Sequence, residues 1–140
     1  MKISRPPSCP AKYAEAAKRH WQDAEILFLR DRKANADQLY GLAAECAIKA
    51  LLVSPMLLGS PDLDRKFKIH MNGNNLWIGF QALAKGRGKH FSLLDENCPY
   101  NNWFIDQRYC ADGTIEIDRI HARRQWTGQI MEVLKYSETL

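Results

Sequence analysis

The chain has 140 residues and a formal net charge of +4, and this length predicts one domain. Hydrophobic residues make up 46% of the chain and charged residues 26%, which excludes an intrinsically disordered segment. The basic excess lies in residues 1–70, which contain 12 basic and 8 acidic residues. This excess permits contact with phosphate groups without requiring it. We expect a single domain over 1–140 with an extended N-terminal tail at 1–10.

The cysteines and the apolar segments indicate a cellular location. The four cysteines, at positions 9, 46, 98 and 110, form no C-x-x-C pair, so they predict neither a zinc site nor a disulfide framework. Prolines interrupt the N-terminus where the apolar part of a signal peptide would begin. The most apolar stretch, 39–53, is too short to span a membrane. We predict a cytoplasmic protein with no metal, no cofactor and no membrane contact.

Two helices are predicted in the first third of the chain. Apolar residues recur at steps of three and four over 11–32, which predicts a helix that buries one side. A second helix is predicted over 36–53, with Asn35 as its N-cap and Gln38 as the reciprocal partner. This helix is apolar nearly all round and rich in small residues, a composition typical of the centre of a bundle.

Two further helices are predicted downstream, over 74–85 and from the N-cap Asp118 to about residue 137. Between them, residues 97–118 indicate an irregular loop or a short hairpin around Asp112-Gly113. A short turn at 91–94 adds a fifth element. Because no strong strand signal is present, the predicted fold class is all-α, an antiparallel four- to five-helix bundle with a long irregular loop before the last helix.

Four segments resemble a known family in their order along the chain. They are D-A-x-x-L at 23–27, A-x-Q-L followed by AAECAIKALL at 36–52, H…LW at 70–77 and W…RY at 103–109. In these segments the chain resembles the HEPN (higher eukaryotes and prokaryotes nucleotide-binding) domain family. The resemblance implies a HEPN-type bundle, frequent homodimerisation and association with RNA or nucleotides.

HEPN members divide by role, and the resemblance leaves both roles open. Many are metal-independent endoribonucleases of toxin-antitoxin, defence or RNA-processing systems, with an R-x(4-6)-H motif whose copies meet across the dimer. Others lack this motif and bind partners, often a minimal nucleotidyltransferase.

One pair in the chain, Arg65 and His70, has the ribonuclease spacing. Histidine suits proton transfer from a ribose hydroxyl near neutral pH, and arginine suits the charge that develops on phosphorus. About one such match is expected by chance in a chain of this composition, and this one precedes the third helix instead of lying near the last. The alternative interpretation is that His70 caps or packs at the third helix and that Arg65 is a solvated loop cation.

Five further residues are candidates for binding. Lys49 either pairs with Glu45 four residues earlier or enters a nucleotide groove. Arg108 and Tyr109 either contact a base or phosphate or hold the long loop against the bundle. Arg119 and Arg123 open the last helix, where cations oppose the helix dipole, and an anionic partner would explain their position.

The sequence therefore supports three functional hypotheses. The first is a HEPN-type module that binds RNA, a nucleotide or a partner protein such as a minimal nucleotidyltransferase. The second is a metal-independent endoribonuclease toxin that uses an Arg/His pair across a homodimer. The third is a purely structural interaction domain.

Overall fold

A computed structural model describes residues 12–53, 75–84 and 98–139 of the chain. Its elements are α1 (Tyr13–Leu29), α2 (Lys33–Val53), α3 (Asn75–Ala84), a 3-10 helix (Ile105–Tyr109) and α4 (Ile117–Glu138). These ranges contain no strand, so the prediction of an all-α fold is confirmed for them. The predicted helix at 74–85 is α3. The predicted tail at 1–10 and turn at 91–94 lie outside the described residues.

A tight turn joins α1 to α2 and corrects two predicted boundaries. Asp31 takes a positive φ of 62°, a left-handed conformation that aspartate tolerates better than most residues. The chain therefore reverses at Asp31, and α1 ends at Leu29 instead of residue 32. The backbone N–H of Ala36 donates to the carbonyl of Arg32 at 3.0 Å, so α2 is already helical at Lys33.

The predicted N-cap of the second helix is therefore wrong. Asn35 and Gln38 lie inside α2, where neither can close a helix terminus. Gln38 is buried, and its side-chain amide has no hydrogen-bond partner among the described residues. The turn at Asp31, instead of a local capping pair, determines where α2 begins.

Helix α2 occupies the centre, as its composition predicts. Its buried residues lie all around the helix, and it packs against α1, α3, α4 and the 3-10 helix. Late α2 meets early α1, where the Lys49 ammonium lies 5.8 Å from the Tyr13 ring. Early α2 meets late α1, where the rings of Phe28 and Tyr40 are 6.3 Å apart. The two helices are therefore antiparallel.

Helix α4 also runs antiparallel to α1. Lys18 near the start of α1 pairs with Glu138 at the end of α4, at 2.7 Å. Near the other end of α1, the Phe28 ring meets His121 of the first turns of α4 at 5.2 Å. This arrangement brings the end of α1, the start of α2 and the start of α4 together at one end of the molecule.

The segment before α4 is an irregular loop that packs into the core. Tyr100 and Trp103 are fully buried, and the 3-10 helix follows them. Gly113 has a φ of 83° in a turn that is closed by the Thr114 N–H and the carbonyl of Ala111 at 3.2 Å. No strand flanks this turn between residues 98 and 139, so the predicted hairpin does not form there.

Helix α4 starts two residues earlier than predicted. Glu116 is extended and precedes the first helical residue, Ile117. Asp118 lies in the first turn, where its negative carboxylate interacts favourably with the positive end of the helix dipole. It is not the N-cap. No helix in the described ranges combines the length and the apolar character that crossing a bilayer requires.

Candidate functional site

Three basic side chains surround one aromatic ring at the end of the molecule where α1, α2 and α4 meet. The Lys33 ammonium lies 4.7 Å from the centre of the buried Phe28 ring, and the Arg124 guanidinium lies 4.3 Å from it. The His121 ring packs edge-on against Phe28 at 5.2 Å. A ring face attracts cations, so Phe28 helps to hold the two permanent charges close to each other. We call Lys33, His121 and Arg124 the Phe28 cluster.

The helical period explains why these residues converge. Residues three or four apart share a helix face, and Trp21, Glu25 and Phe28 follow each other along α1 at such spacings. On α4 the same is true of His121 and Arg124. The two faces oppose each other where α1 crosses the first turns of α4.

A carboxylate lies directly beside the Phe28 cluster. The Nε and Nη2 atoms of Arg124 donate to the two carboxylate oxygens of Glu25 at 2.7 and 2.9 Å, and the Tyr40 hydroxyl donates to Glu25 at 2.5 Å. The Arg124 hydrogen bonds lower the pKa of Glu25. Burial, with the Glu25 carboxylate, raises the pKa of Tyr40. Glu25 is therefore an ionised anion that three donors hold in place.

An open groove of about 380 Å³ runs between α1 and α4 at this point. It is lined by Trp21, Glu25, His121, Arg124, Gln125 and Gly128. A Cβ at Gly128 would come within 3.3 Å of the Trp21 indole, so the glycine lets this ring lie close to α4. The groove combines an aromatic surface, an imidazole, a guanidinium and an amide. These are the groups that contact phosphates and unstacked bases in nucleic-acid complexes.

Lys49 does not line this groove. Its ammonium pairs with Glu45 at 3.4 Å, and its side chain is only 12% exposed. Sixteen residues of helix, about 24 Å, separate Lys49 from Lys33 on α2. The pair with Glu45 lies within α2, and the Lys49 ammonium also lies over the Tyr13 ring of α1.

Arg123 lies in the core instead of on a surface. It is 1% exposed and donates to the Asp37 carboxylate at 2.8 Å, to the carbonyl of Pro99 at 3.1 Å and to Asn102 at 2.9 Å. A buried guanidinium with these partners presents no charge to an external ligand. The prediction of Arg123 as a binding residue is therefore corrected: it is an internal anchor that connects α4, α2 and the loop.

The other predicted binding residues are exposed but lie outside the groove lining. The Arg108 guanidinium stacks over the Tyr109 ring at 4.9 Å, and the Tyr109 side chain is 75% exposed. Arg119 is exposed in the first turn of α4, two residues before His121. Arg108 and Tyr109 stay candidates for a peripheral contact, and Arg119 extends the basic end of the molecule. Arg65 and His70 lie outside the described residues.

Sequence reasoning found part of this site. It noted the basic residues at the start of the last helix, but it did not separate Arg123, which faces inward, from His121 and Arg124, which face α1. It missed Trp21, Glu25 and Tyr40 altogether. Glu25 and Arg124 are 99 positions apart, so no local pattern connects them.

The described residues contain no group of three or more His, Cys, Asp or Glu side chains that is arranged to hold a metal ion. No family model, no curated protein and no solved structure matches the chain.

Proposed function

We propose that this chain is a HEPN-type helical module that binds RNA at the end of the molecule where α1, α2 and α4 meet. The observation that supports the proposal is the convergence of Lys33, His121 and Arg124 around the Phe28 ring. Three basic groups from two helices form a compact surface for phosphate groups. The adjoining groove offers the Trp21 surface beside them.

The charge of this surface favours a polyanion. Lys33 is partly exposed, and within the described residues it pairs at 3.2 Å with Asp31, whose side chain is 90% exposed. An exposed ion pair of this kind is weak, so a phosphate can replace Asp31 as the partner of Lys33. Arg119 adds an exposed positive charge two residues before His121. A chain of phosphates can contact several of these groups at once, whereas a single phosphate cannot.

The test is the affinity for single-stranded RNA of Lys33→Gln, measured by fluorescence anisotropy over a range of salt concentrations. We expect the dissociation constant to rise about fivefold at low salt and the salt dependence to become shallower, because one phosphate contact is lost. Lys135→Gln is the matched control, since it removes the same charge from an exposed position near the other end of α4. Equal effects of the two substitutions, or no binding by the wild type, would contradict the proposal.

A second candidate function, a metal-independent endoribonuclease, is favoured by the presence of His121 and Arg124 in one groove. An imidazole can move the proton of a ribose hydroxyl, and a guanidinium can stabilise the charge on phosphorus. Purified protein is incubated with total RNA and tRNA in EDTA, beside His121→Ala, His70→Ala and Arg65→Ala. Loss of cleavage in His121→Ala would assign the catalytic site to the groove. Loss of cleavage in both His70→Ala and Arg65→Ala would instead assign the catalytic site to that pair, which has the ribonuclease spacing.

The proposed partners are a second copy of the chain and a minimal nucleotidyltransferase. Light scattering on the purified chain tests the homodimer, and co-purification with a nucleotidyltransferase encoded beside it tests the second partner. A chain that binds neither RNA nor nucleotide but forms a stable complex would favour the purely structural interaction domain.

A further inference from the structure

Glu25 is the one acidic residue among the six that line the groove. Its position is determined from two sides, because α4 supplies the Arg124 guanidinium at 2.7 and 2.9 Å and α2 supplies the Tyr40 hydroxyl at 2.5 Å. The side chain of Glu25 is 25% exposed, so its carboxylate borders the groove instead of lying beneath it. A ligand in the groove therefore meets a negative charge beside the basic ones.

This carboxylate uses the atoms that a phosphate would use. An arginine binds a phosphate or a carboxylate most strongly through two parallel N–H groups. Glu25 accepts from Nε and Nη2 of Arg124, which are such a pair. A phosphate that approaches Arg124 must either displace Glu25 or bind beside a fixed negative charge.

The rest of the Phe28 cluster is not restrained in this way. Lys33 forms an ion pair with the highly exposed Asp31, and His121 contacts Phe28 through its ring. A ligand with several phosphates can engage Lys33 first and then compete for Arg124 with the help of that contact. A ligand with one phosphate has no such help.

On the basis of the proposed RNA-binding function, we propose that Glu25 determines which phosphate ligands the groove selects. It acts as an internal anion that occupies the guanidinium of Arg124, excludes ligands with a single phosphate and admits those with several. Glu25 is thus a specificity-determining residue that acts through Arg124.

The test compares inorganic phosphate with a single-stranded RNA of about twelve nucleotides as ligands of the wild type and of Glu25→Gln. Glutamine keeps the size of the side chain and one acceptor oxygen but removes the charge. Because a fixed like charge is lost next to the site, we expect Glu25→Gln to bind phosphate roughly tenfold more tightly. The gain for RNA is expected to be smaller, so the preference for RNA over phosphate falls.

Glu15→Gln is the matched control, because it removes the same charge from an exposed position on the same helix. Tyr40→Phe is a second variant, which removes one donor to Glu25 but keeps its charge, so its phosphate binding should stay close to that of the wild type. Circular dichroism verifies that each variant is folded.

Each outcome distinguishes the two proposals. Phosphate binding by Glu25→Gln that equals that of Glu15→Gln overturns the role of Glu25, and weaker binding overturns it as well, because Glu25 would then position Arg124 for the ligand. In both cases RNA binding by the wild type leaves the proposed function intact. A gain for phosphate without RNA binding by the wild type supports the role of Glu25 and overturns RNA as the ligand. No binding of either ligand by wild type or variant overturns both.

Discussion

At the scale of single residues, the strongest constraint is the buried contact between Asp37 and Arg123. Both side chains are almost completely buried, and Gln107 donates a further hydrogen bond to Asp37 at 2.6 Å. Burial raises the pKa of Asp37, and the Arg123 charge opposes that effect. The indole of Trp103 also donates to the backbone carbonyl of Asp37, at 3.3 Å. One residue of α2 therefore connects α4, the loop and the 3-10 helix.

We predict that Asp37→Asn destabilises the fold by about 3–5 kcal/mol, because it leaves the Arg123 charge buried without its partner. Urea unfolding at neutral pH measures the effect. Asp31→Asn is the control, since Asp31 is exposed and asparagine also tolerates its positive φ. Similar free energies of unfolding for the two variants would show that the Asp37 carboxylate contributes little.

At the scale of the elements, the loop before α4 packs against α2 at a glycine. The Trp103 indole lies against Gly41 so closely that a Cβ at that position would overlap the ring. Trp103 is fully buried, and its ring meets that of Tyr100 at 6.0 Å. Small side chains on a central helix commonly let other helices approach closely. At position 41 the neighbour is instead a loop residue.

Gly41→Ala is predicted to lower the free energy of unfolding by about 2 kcal/mol. The overlap with Trp103 costs about 1–3 kcal/mol or more, and the higher helix propensity of alanine offsets up to about 1 kcal/mol of that. Gly128→Ala, whose Cβ would lie 3.3 Å from Trp21, gains the same propensity with a milder contact and serves as the comparison. Urea unfolding followed by tryptophan fluorescence measures both. A Gly41→Ala variant as stable as Gly128→Ala would contradict the packing argument.

At the scale of the whole molecule, the antiparallel contact of α1 with α4 puts one ion pair at each end. Lys18 and Glu138 form the pair at one end, and Glu25 and Arg124 form the pair beside the Phe28 cluster at the other. The first pair is exposed and is worth little. The second is partly buried, and it joins α1 and α4 beside the groove.

The lowered pKa of Glu25 predicts a pH dependence of stability. A carboxyl group with a lower pKa in the folded state stabilises the fold above its unfolded value of 4.5, and this contribution is lost as the pH falls through the folded value. The wild type should exceed Glu25→Gln in stability at neutral pH by less than about 1 kcal/mol, because the pair is partly exposed. Urea unfolding at a series of pH values should show this difference disappear in acid. A difference that grows on acidification would contradict the assigned sign.

The sequence predicted the elements well and their ends less well. Apolar periodicity located α1, α3 and α4, because that pattern directly reflects which side of a helix is buried, and the nearly all-round apolar composition of α2 located the fourth helix. The ends at Leu29, Lys33 and Ile117 differed from the predictions by two or three residues. A positive φ at Asp31, which no local preference requires, displaced the boundary between α1 and α2 and left Gln38 inside the helix.

The sequence by itself determined that the chain forms helices, that α2 is the central one and that basic residues open the last helix. Only the tertiary structure decided that Arg123 faces the core, that His121 and Arg124 face α1, and that Glu25 lies against Arg124. The physical reason is that helical spacing fixes which residues share a face, whereas the packing of one helix on another decides which face meets which. The contact between Glu25 and Arg124 depends on that packing, because it joins residues 99 positions apart.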